Sequence, residues 1–299
     1  ENGNIKINGL LHDKEYVLTE TKPADGFVSA TDISFMLKLK IEKADYLTQI
    51  LIKENEKFVP AISNKLVMYD DTTKIEFSKT EITGEKEIPG CELEVTDKET
   101  GRIMDKWTSS KDKHIVEGKY VVGKTYMFTE KRPASGFATA ESVEFKISDT
   151  GNIQQVSMKD DTIKIQFSKI ASDTKKLLPG AKYKVLDSKG KKVCEFTTKK
   201  KETALNGILC AGETYTFVEH QAPKHYKKAK NVKITVKDTG KVQKLKVVDE
   251  RIPEVPDTPQ TGNRRNILLY ALALLFGIGT LTTYSCVRIN HGKKKDNEQ

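Results

Sequence analysis

The sequence predicts an all-β chain of tandem β-sandwich domains, followed by a proline-containing linker and one C-terminal membrane-spanning helix. Three observations carry this. Short runs rich in Val, Ile, Phe and Tyr alternate with polar residues between Gly, Pro and Asp turns, the pattern of half-buried strands. The pattern recurs with a period of about 90 residues, too long for a solenoid repeat and suited to small tandem domains. Residues 266–287 form a run of 22 residues without charge, long enough for a helix to cross a bilayer.

Composition narrows the chemistry first. The 299 residues allow two or three domains. At 37% hydrophobic and 31% charged, the chain is not wholly disordered. Four cysteines and five histidines are scattered, with no CxxC and no helical His pair, so no zinc scaffold, metal site or cofactor is expected. Walker, GxGxxG and GxSxG motifs are absent, which argues against nucleotide and serine-hydrolase chemistry.

The repeats set the domain boundaries. Residues 74–79 (KIEFSK) recur as residues 164–169 (KIQFSK), and residues 88–91 (IPGC) recur as 178–181 (LPGA). Residues 126–130 (YMFTE) match 16–20 (YVLTE) and 215–219 (YTFVE), each followed by a proline turn. The predicted units are an incomplete sandwich over 1–71 and two full ones over 72–161 and 162–250, then a linker over 251–265. Glu20 and Asp70 are 50 apart, whereas Glu130–Asp160 and Glu219–Asp249 are each 30 apart. The first repeat therefore carries an insertion near Leu39–Pro60, which fits a short helix or a longer hairpin. It also lacks the lysine-bearing first strand, and the chain starts without Met or a secretory leader. A C-terminal fragment of a longer surface protein is the expectation.

Residues two apart share one face of a strand. Ile75, Phe77 and Lys79 therefore face one way, as do Ile165, Phe167 and Lys169. Tyr126 and Phe128 share a face with Glu130; the copies are Tyr16, Leu18, Glu20 and Tyr215, Phe217, Glu219. Val156 and Met158 share a face with Asp160, Leu66 and Met68 with Asp70, and Leu245 and Val247 with Asp249. Each full repeat thus aims one Lys, one Glu and one Asp along its apolar face. Buried ions are costly unless paired or neutralised. A buried ion-pair cluster, or strand ends that simply reach water, is the plain reading.

The motifs IEFSK and IQFSK, YMFTEKRPASGF and VMYD carry a resemblance. They resemble the Lys strand, Glu box and Asp strand of collagen-adhesin B-type domains, the SpaA-like prealbumin-fold, immunoglobulin-like repeats of Gram-positive adhesins and pilins. The resemblance spans nearly all of residues 1–250. It implies an intramolecular isopeptide bond joining Lys79 to Asp160 with Glu130 as catalyst, and Lys169 to Asp249 with Glu219. Glu20 and Asp70 would be the remains of a third site. The residue types suit the reaction: burial favours a neutral amine and a neutral acid, and a nearby carboxyl can move the proton. The third repeat departs from the pattern, because Glu219 is followed by HQAPKHY without the usual glycine.

The C-terminus speaks to location. Asn266–Val287 is followed by Arg288, Lys293, Lys294 and Lys295, so the tail, 288–299, is predicted cytoplasmic and the preceding residues external. Pro253, Pro256 and Pro259 make the linker extended. Just before the span stand Thr258, Pro259, Gln260, Thr261 and Gly262. Motif, apolar span and basic tail in this order resemble the LPxTG-type wall-sorting signal of Gram-positive bacteria, with Thr258 in place of Leu. The resemblance implies a membrane-spanning precursor, cleavage by a sortase between Thr261 and Gly262, and transfer of Thr261 to an amine of peptidoglycan or of a pilin.

Cys194 and Cys210 fall in one repeat, which permits a disulfide, while Cys91 stands where its copy has Ala181. The formal net charge of +9 is concentrated: residues 164–250 hold 21 Lys against nine acidic residues, while residues 74–163 hold 14 basic and 17 acidic. A basic surface suggests nucleic acid, but an exported domain is not placed to meet it, so anionic wall polymers or plain solvation remain. The expected function is a wall-anchored adhesin or minor pilin stalk at the cell surface, not an enzyme beyond its own crosslinking, with a host surface ligand as a further partner. The alternative is a stalk that carries an upstream enzymatic domain.

Overall fold

The computed structural model describes residues 3–43 and 45–254. The predicted sorting motif, membrane span and basic tail lie outside the described residues. Among the described residues there are 18 strands, one 3-10 turn at Ile62–Asn64, and no helix long and apolar enough to cross a membrane.

The N-terminal segment forms one antiparallel sheet, ordered β1-β2-β3-β4, from β1 (Glu15–Leu18), β2 (Ile33–Glu42), β3 (Asp45–Glu54) and β4 (Lys57–Pro60). The insertion is therefore a hairpin with an added strand. Its two arms pair from Phe35↔Ile52 to Glu42↔Asp45. The reason is visible in LKLKIE, where Leu37, Leu39 and Ile41 alternate with polar residues at period two; DYLTQILIKE, whose apolar spacing alone also suits a helix, becomes a strand by pairing along that arm. Residues 65–70, expected as the last strand of this repeat, form none. Their counterparts in the full repeats pair with the lysine strand, which this segment lacks.

The middle domain comprises β5 (Lys74–Glu81), β6 (Glu92–Asp97), β7 (Ile103–Thr108), β8 (His114–Glu117), β9 (Thr125–Arg132), β10 (Val143–Lys146) and β11 (Ile153–Asp160). They make two sheets, β11-β5-β8 and β10-β9-β6-β7. The C-terminal domain repeats this with β12 (Lys164–Ala171), β13 (Lys182–Leu186), β14 (Lys192–Thr197), β15 (Thr203–Ala204), β16 (Thr214–Gln221), β17 (Val232–Thr235) and β18 (Val242–Asp249), in sheets β15-β12-β18 and β14-β13-β16-β17.

In each domain the first and last strands are parallel neighbours, β5 with β11 and β12 with β18. Parallel neighbours need a long crossover; here it takes in the whole opposing sheet together with β8 or β15. The core fills the space between the sheets. Ile75, Phe77, Val156 and Met158 on one side meet Leu93, Val95, Tyr126 and Phe128 on the other. The Phe77 and Phe128 rings lie 5.1 Å apart, and their counterparts Phe167 and Phe217 stack at 5.7 Å. Deleting such a ring costs about 3–5 kcal/mol through lost burial and the cavity left behind.

Candidate crosslink site

The strand pattern delivers three ionisable side chains to the same end of each core. On β5, Ile75, Phe77 and Lys79 are buried, and on β11 so are Val156, Met158 and Asp160. Lys79 lies opposite Met158 in the parallel register, so Asp160 is its diagonal neighbour on the same face. Glu130 comes from β9 in the opposing sheet. Lys79 is 2%, Asp160 1% and Glu130 4% exposed, which removes solvent screening from their charges.

Lys79 Nζ donates to Asp160 Oδ1 in a very short contact and lies 3.1 Å from Glu130 Oε1. Glu130 Oε1 has no hydrogen-bond partner among the described residues. Its other oxygen, Oε2, accepts the Ala140 backbone N–H at 2.7 Å. The Asp160 carboxyl is raised to about 6, because burial, reinforced by the Glu130 charge, outweighs the downward pull of Lys79.

The C-terminal domain assembles the same trio. Lys169 Nζ donates to Asp249 Oδ1 in a very short contact and to Glu219 Oε2 at 3.1 Å. Glu219 Oε2 also accepts the Ala229 N–H at 2.6 Å. Burial raises the Asp249 carboxyl above its ordinary value, with Lys169 opposing and Glu219 reinforcing the shift. Asp249 Oδ2 and Glu219 Oε1 are buried without a partner among the described residues. Stranding buried charged oxygens in this way is expensive.

The N-terminal segment keeps only part of the arrangement. Glu20 Oε2 accepts the Ala30 N–H at 2.9 Å, as its two copies do. Asp70 is exposed, and no lysine pairs with Glu20 or Asp70 among the described residues. The tyrosine four residues before each Glu has a shared task as well. Tyr16, Tyr126 and Tyr215 accept the backbone N–H five residues upstream, from Leu11, Val121 and Cys210, at 2.8, 3.0 and 3.0 Å.

Two neighbours of the trio were not legible as such in the sequence. Tyr183 Oη accepts from Lys169 Nζ at 2.7 Å, yet in AKYKV it alternates like any core residue. Burial raises its phenol, so it stays neutral. Its copy in the middle domain is Leu93, which offers no polar atom. There Cys91 Sγ approaches Asp160 Oδ2 at 3.9 Å instead, its thiol pushed up to about 11 by burial. Cys91, Glu130 and Asp160 lie close enough together to resemble a metal-ligand set, but the Lys79 amine already sits against both carboxylates. Cys91, Cys194 and Cys210 are all free thiols.

The sequence model of the SpaA prealbumin-like fold domain matches residues 73–162 and again 163–251. No curated protein matches the chain. Among solved structures, the shaft pilin SpaA from Lactobacillus rhamnosus GG is similar at 16% identity over 62% of this chain and 99% of that one, with a TM-score of 0.31. The C-terminal fragment of the pilus adhesin SpaC from Lactobacillus rhamnosus GG is similar at 14% identity over 62% and 99%, with a TM-score of 0.34. The Bacillus anthracis TIE protein is similar at 17% identity over 79% of this chain and 51% of that one, with a TM-score of 0.37. The two family matches together span more than half of the sequence, and the chain belongs to the SpaA prealbumin-like fold family.

Proposed function

We propose that the chain is part of a wall-anchored adhesin or minor pilin stalk on a Gram-positive surface. Its two full domains lock themselves with Lys–Asp isopeptide bonds, and a sortase attaches it through residues 258–262. The observation that carries this reading is the duplicated burial of one Lys, one Glu and one Asp in contact, at the same place in two domains.

The chemistry follows from the contacts. Below about pH 6 the Asp160 carboxyl holds its proton. Glu130, 3.1 Å from Nζ, takes a proton from the Lys79 ammonium and leaves a neutral amine. The lone pair attacks Asp160 Cγ and the C–N bond forms. The C–OH bond then breaks, and the hydroxyl leaves as water with the proton returned by Glu130. The nitrogen then gives its remaining extra proton to Glu130, so the products are one amide, one water and a protonated Glu130, which becomes a carboxylate again on losing that proton to solvent. Contact within the fold supplies the effective concentration that a free amine and acid lack. Condensation also removes a buried charge pair, which explains why so costly a cluster is kept.

In the wall-anchoring step, sortase would cut after Thr261 and pass its carbonyl to an amine of peptidoglycan or a pilin. Tandem mass spectrometry of a protease digest tests the crosslinks residue by residue. Branched peptides joining Lys79 to Asp160 and Lys169 to Asp249 are expected. Linear peptides alone, with both lysines free, would refute the reading.

A further inference from the structure

The two places where one domain follows another share the same backbone contacts, in a region outside the lysine sites. After the Glu box, each domain sends out a loop, residues 26–29 in the N-terminal segment and 136–139 in the middle domain. Each loop clasps the short connection that follows. Val28 N donates to Asp71 O at 2.9 Å, and Ala138 N donates to Asp161 O at 2.9 Å. In return Thr73 N donates to Gly26 O at 2.9 Å, and Ile163 N to Gly136 O at 2.8 Å.

The following domain grips the same connection from its own side. Gly118 N donates to Thr73 O, and Gly207 N to Ile163 O, both at 2.9 Å. A turn of that domain then reaches back to the loop. Asp149 Oδ1 accepts the Ser29 N–H and Asp238 Oδ1 accepts the Thr139 N–H, both at 2.8 Å. Those residues are 120 and 99 apart in sequence. The connection itself is tethered: Lys74 Nζ reaches Asp71 Oδ2 at 2.8 Å, and Lys164 Nζ reaches Asp161 Oδ1 at 2.6 Å.

The glycine of the loop is required by this approach. Gly26 and Gly136 both have φ of +88°. A Cβ on Gly26 would stand 2.2 Å from Gly118 O, and one on Gly136 would stand 2.3 Å from Gly207 O. These are backbone atoms of the following domain, which no rotamer change can move aside.

The C-terminal domain supplies the contrast. Its loop still clasps the chain after it, with Lys227 N donating to Glu250 O at 2.8 Å. At the glycine position, however, stands His225 with φ of +67°. A left-handed backbone is kept there and the space for a neighbour is given up. At the other end, Ile33 occupies the register of Val143, but β2 runs on to Glu42 where the middle domain turns through Asp149. The long hairpin thus replaces the reaching aspartate.

The geometry points to a domain-docking surface: the Gly-bearing loop takes a following domain of the same fold, whose turn Asp caps the loop and whose Gly backbone packs on it. The partner is recognised by backbone approach and one carboxylate, and it locks neighbouring domains against swivelling. His225 closes the C-terminal domain to a further partner of this kind, and the hairpin closes the N-terminal segment to a preceding one. This accounts for the missing glycine in the third repeat without any reference to its lysine site.

Hydrogen exchange on the full chain tests it, in three variants. Gly136→Ala should lower protection of the Ala138, Thr139 and Ile163 amides by roughly tenfold or more while the β9 and β12 interiors keep theirs. Gly90→Ala is the control, since Gly90 has a similar φ of +93° with nothing within 4 Å of the added atom; its junction amides should not change. Asp238→Ala, a change confined to the following domain's turn, should release Thr139. Unchanged junction protection in Gly136→Ala and Asp238→Ala would overturn the inference. So would a loss in Gly136→Ala that spreads through the middle domain and is matched by Gly90→Ala.

Discussion

Lys79 and Asp160 are 81 residues apart in sequence, yet their side chains meet inside one core because β5 and β11 are parallel neighbours. Everything else in the middle domain lies between them along the chain. A covalent bond here would tie the first strand to the last. Tension entering at Lys74 and leaving at Asp160 would then bypass the rest of the domain. The same holds for Lys169 and Asp249, 80 residues apart on β12 and β18.

Glu130→Gln separates catalysis from shape. The amide oxygen can still accept the Ala140 N–H, but the side chain cannot take a proton from Lys79. The variant should fold with Lys79 and Asp160 adjacent and unjoined, keeping one more water of mass than the parent. Closing a loop of 81 residues is worth about 4.5 kcal/mol in the chain-entropy model, so its thermal stability should fall accordingly. A parent-like mass and melting temperature would show that Glu130 is dispensable.

The middle-domain bond should depend on pH in a defined direction. Asp160 must be protonated for its hydroxyl to leave as water, and its carboxyl is raised to about 6. The fraction in the acid form falls as pH rises through that value. Bond formation in freshly folded chain should therefore be faster at pH 5 than at pH 8. Timed mass spectra after folding at each pH measure it, and a faster rate at pH 8 would contradict the protonated-acid route.

Tyr183→Phe should affect one domain only. It removes the acceptor 2.7 Å from Lys169 Nζ and leaves the ring that packs against Phe167. The Lys169–Asp249 bond should form more slowly, while the Lys79–Asp160 bond, beside Leu93, forms at the parent rate. Equal slowing of both would point to a general folding defect.

Thr261→Ala tests anchoring in a sortase-bearing host. The variant should stay in the membrane fraction, whereas the parent should be released only by digesting the wall. Identical fractionation would favour a plain membrane anchor.

Much of this fold was legible in the sequence because its signals are local. Period-two alternation marks strands such as β5 and β9, and duplication marks the domains. The face shared by Phe77 and Lys79 follows from alternation alone. The insertion was ambiguous because short apolar runs such as LTQILI suit a helix or a strand until a partner strand is seen. Tyr183 was hidden for another reason: its polar atom matters only across the sheet-to-sheet gap, which no local pattern encodes. The second task of Glu130, holding the Ala140 N–H, depends on a loop ten residues away closing back on it. The glycine of the Glu box was visible as a motif, but its reason lies in the backbone of the next domain.

The most direct test of the central claim is the intact mass of the folded chain. It should fall short of the sequence mass by two waters, one for each Lys–Asp bond. Lys79→Ala and Lys169→Ala should each restore one, and the double variant both. A parent spectrum at the full sequence mass would contradict the account.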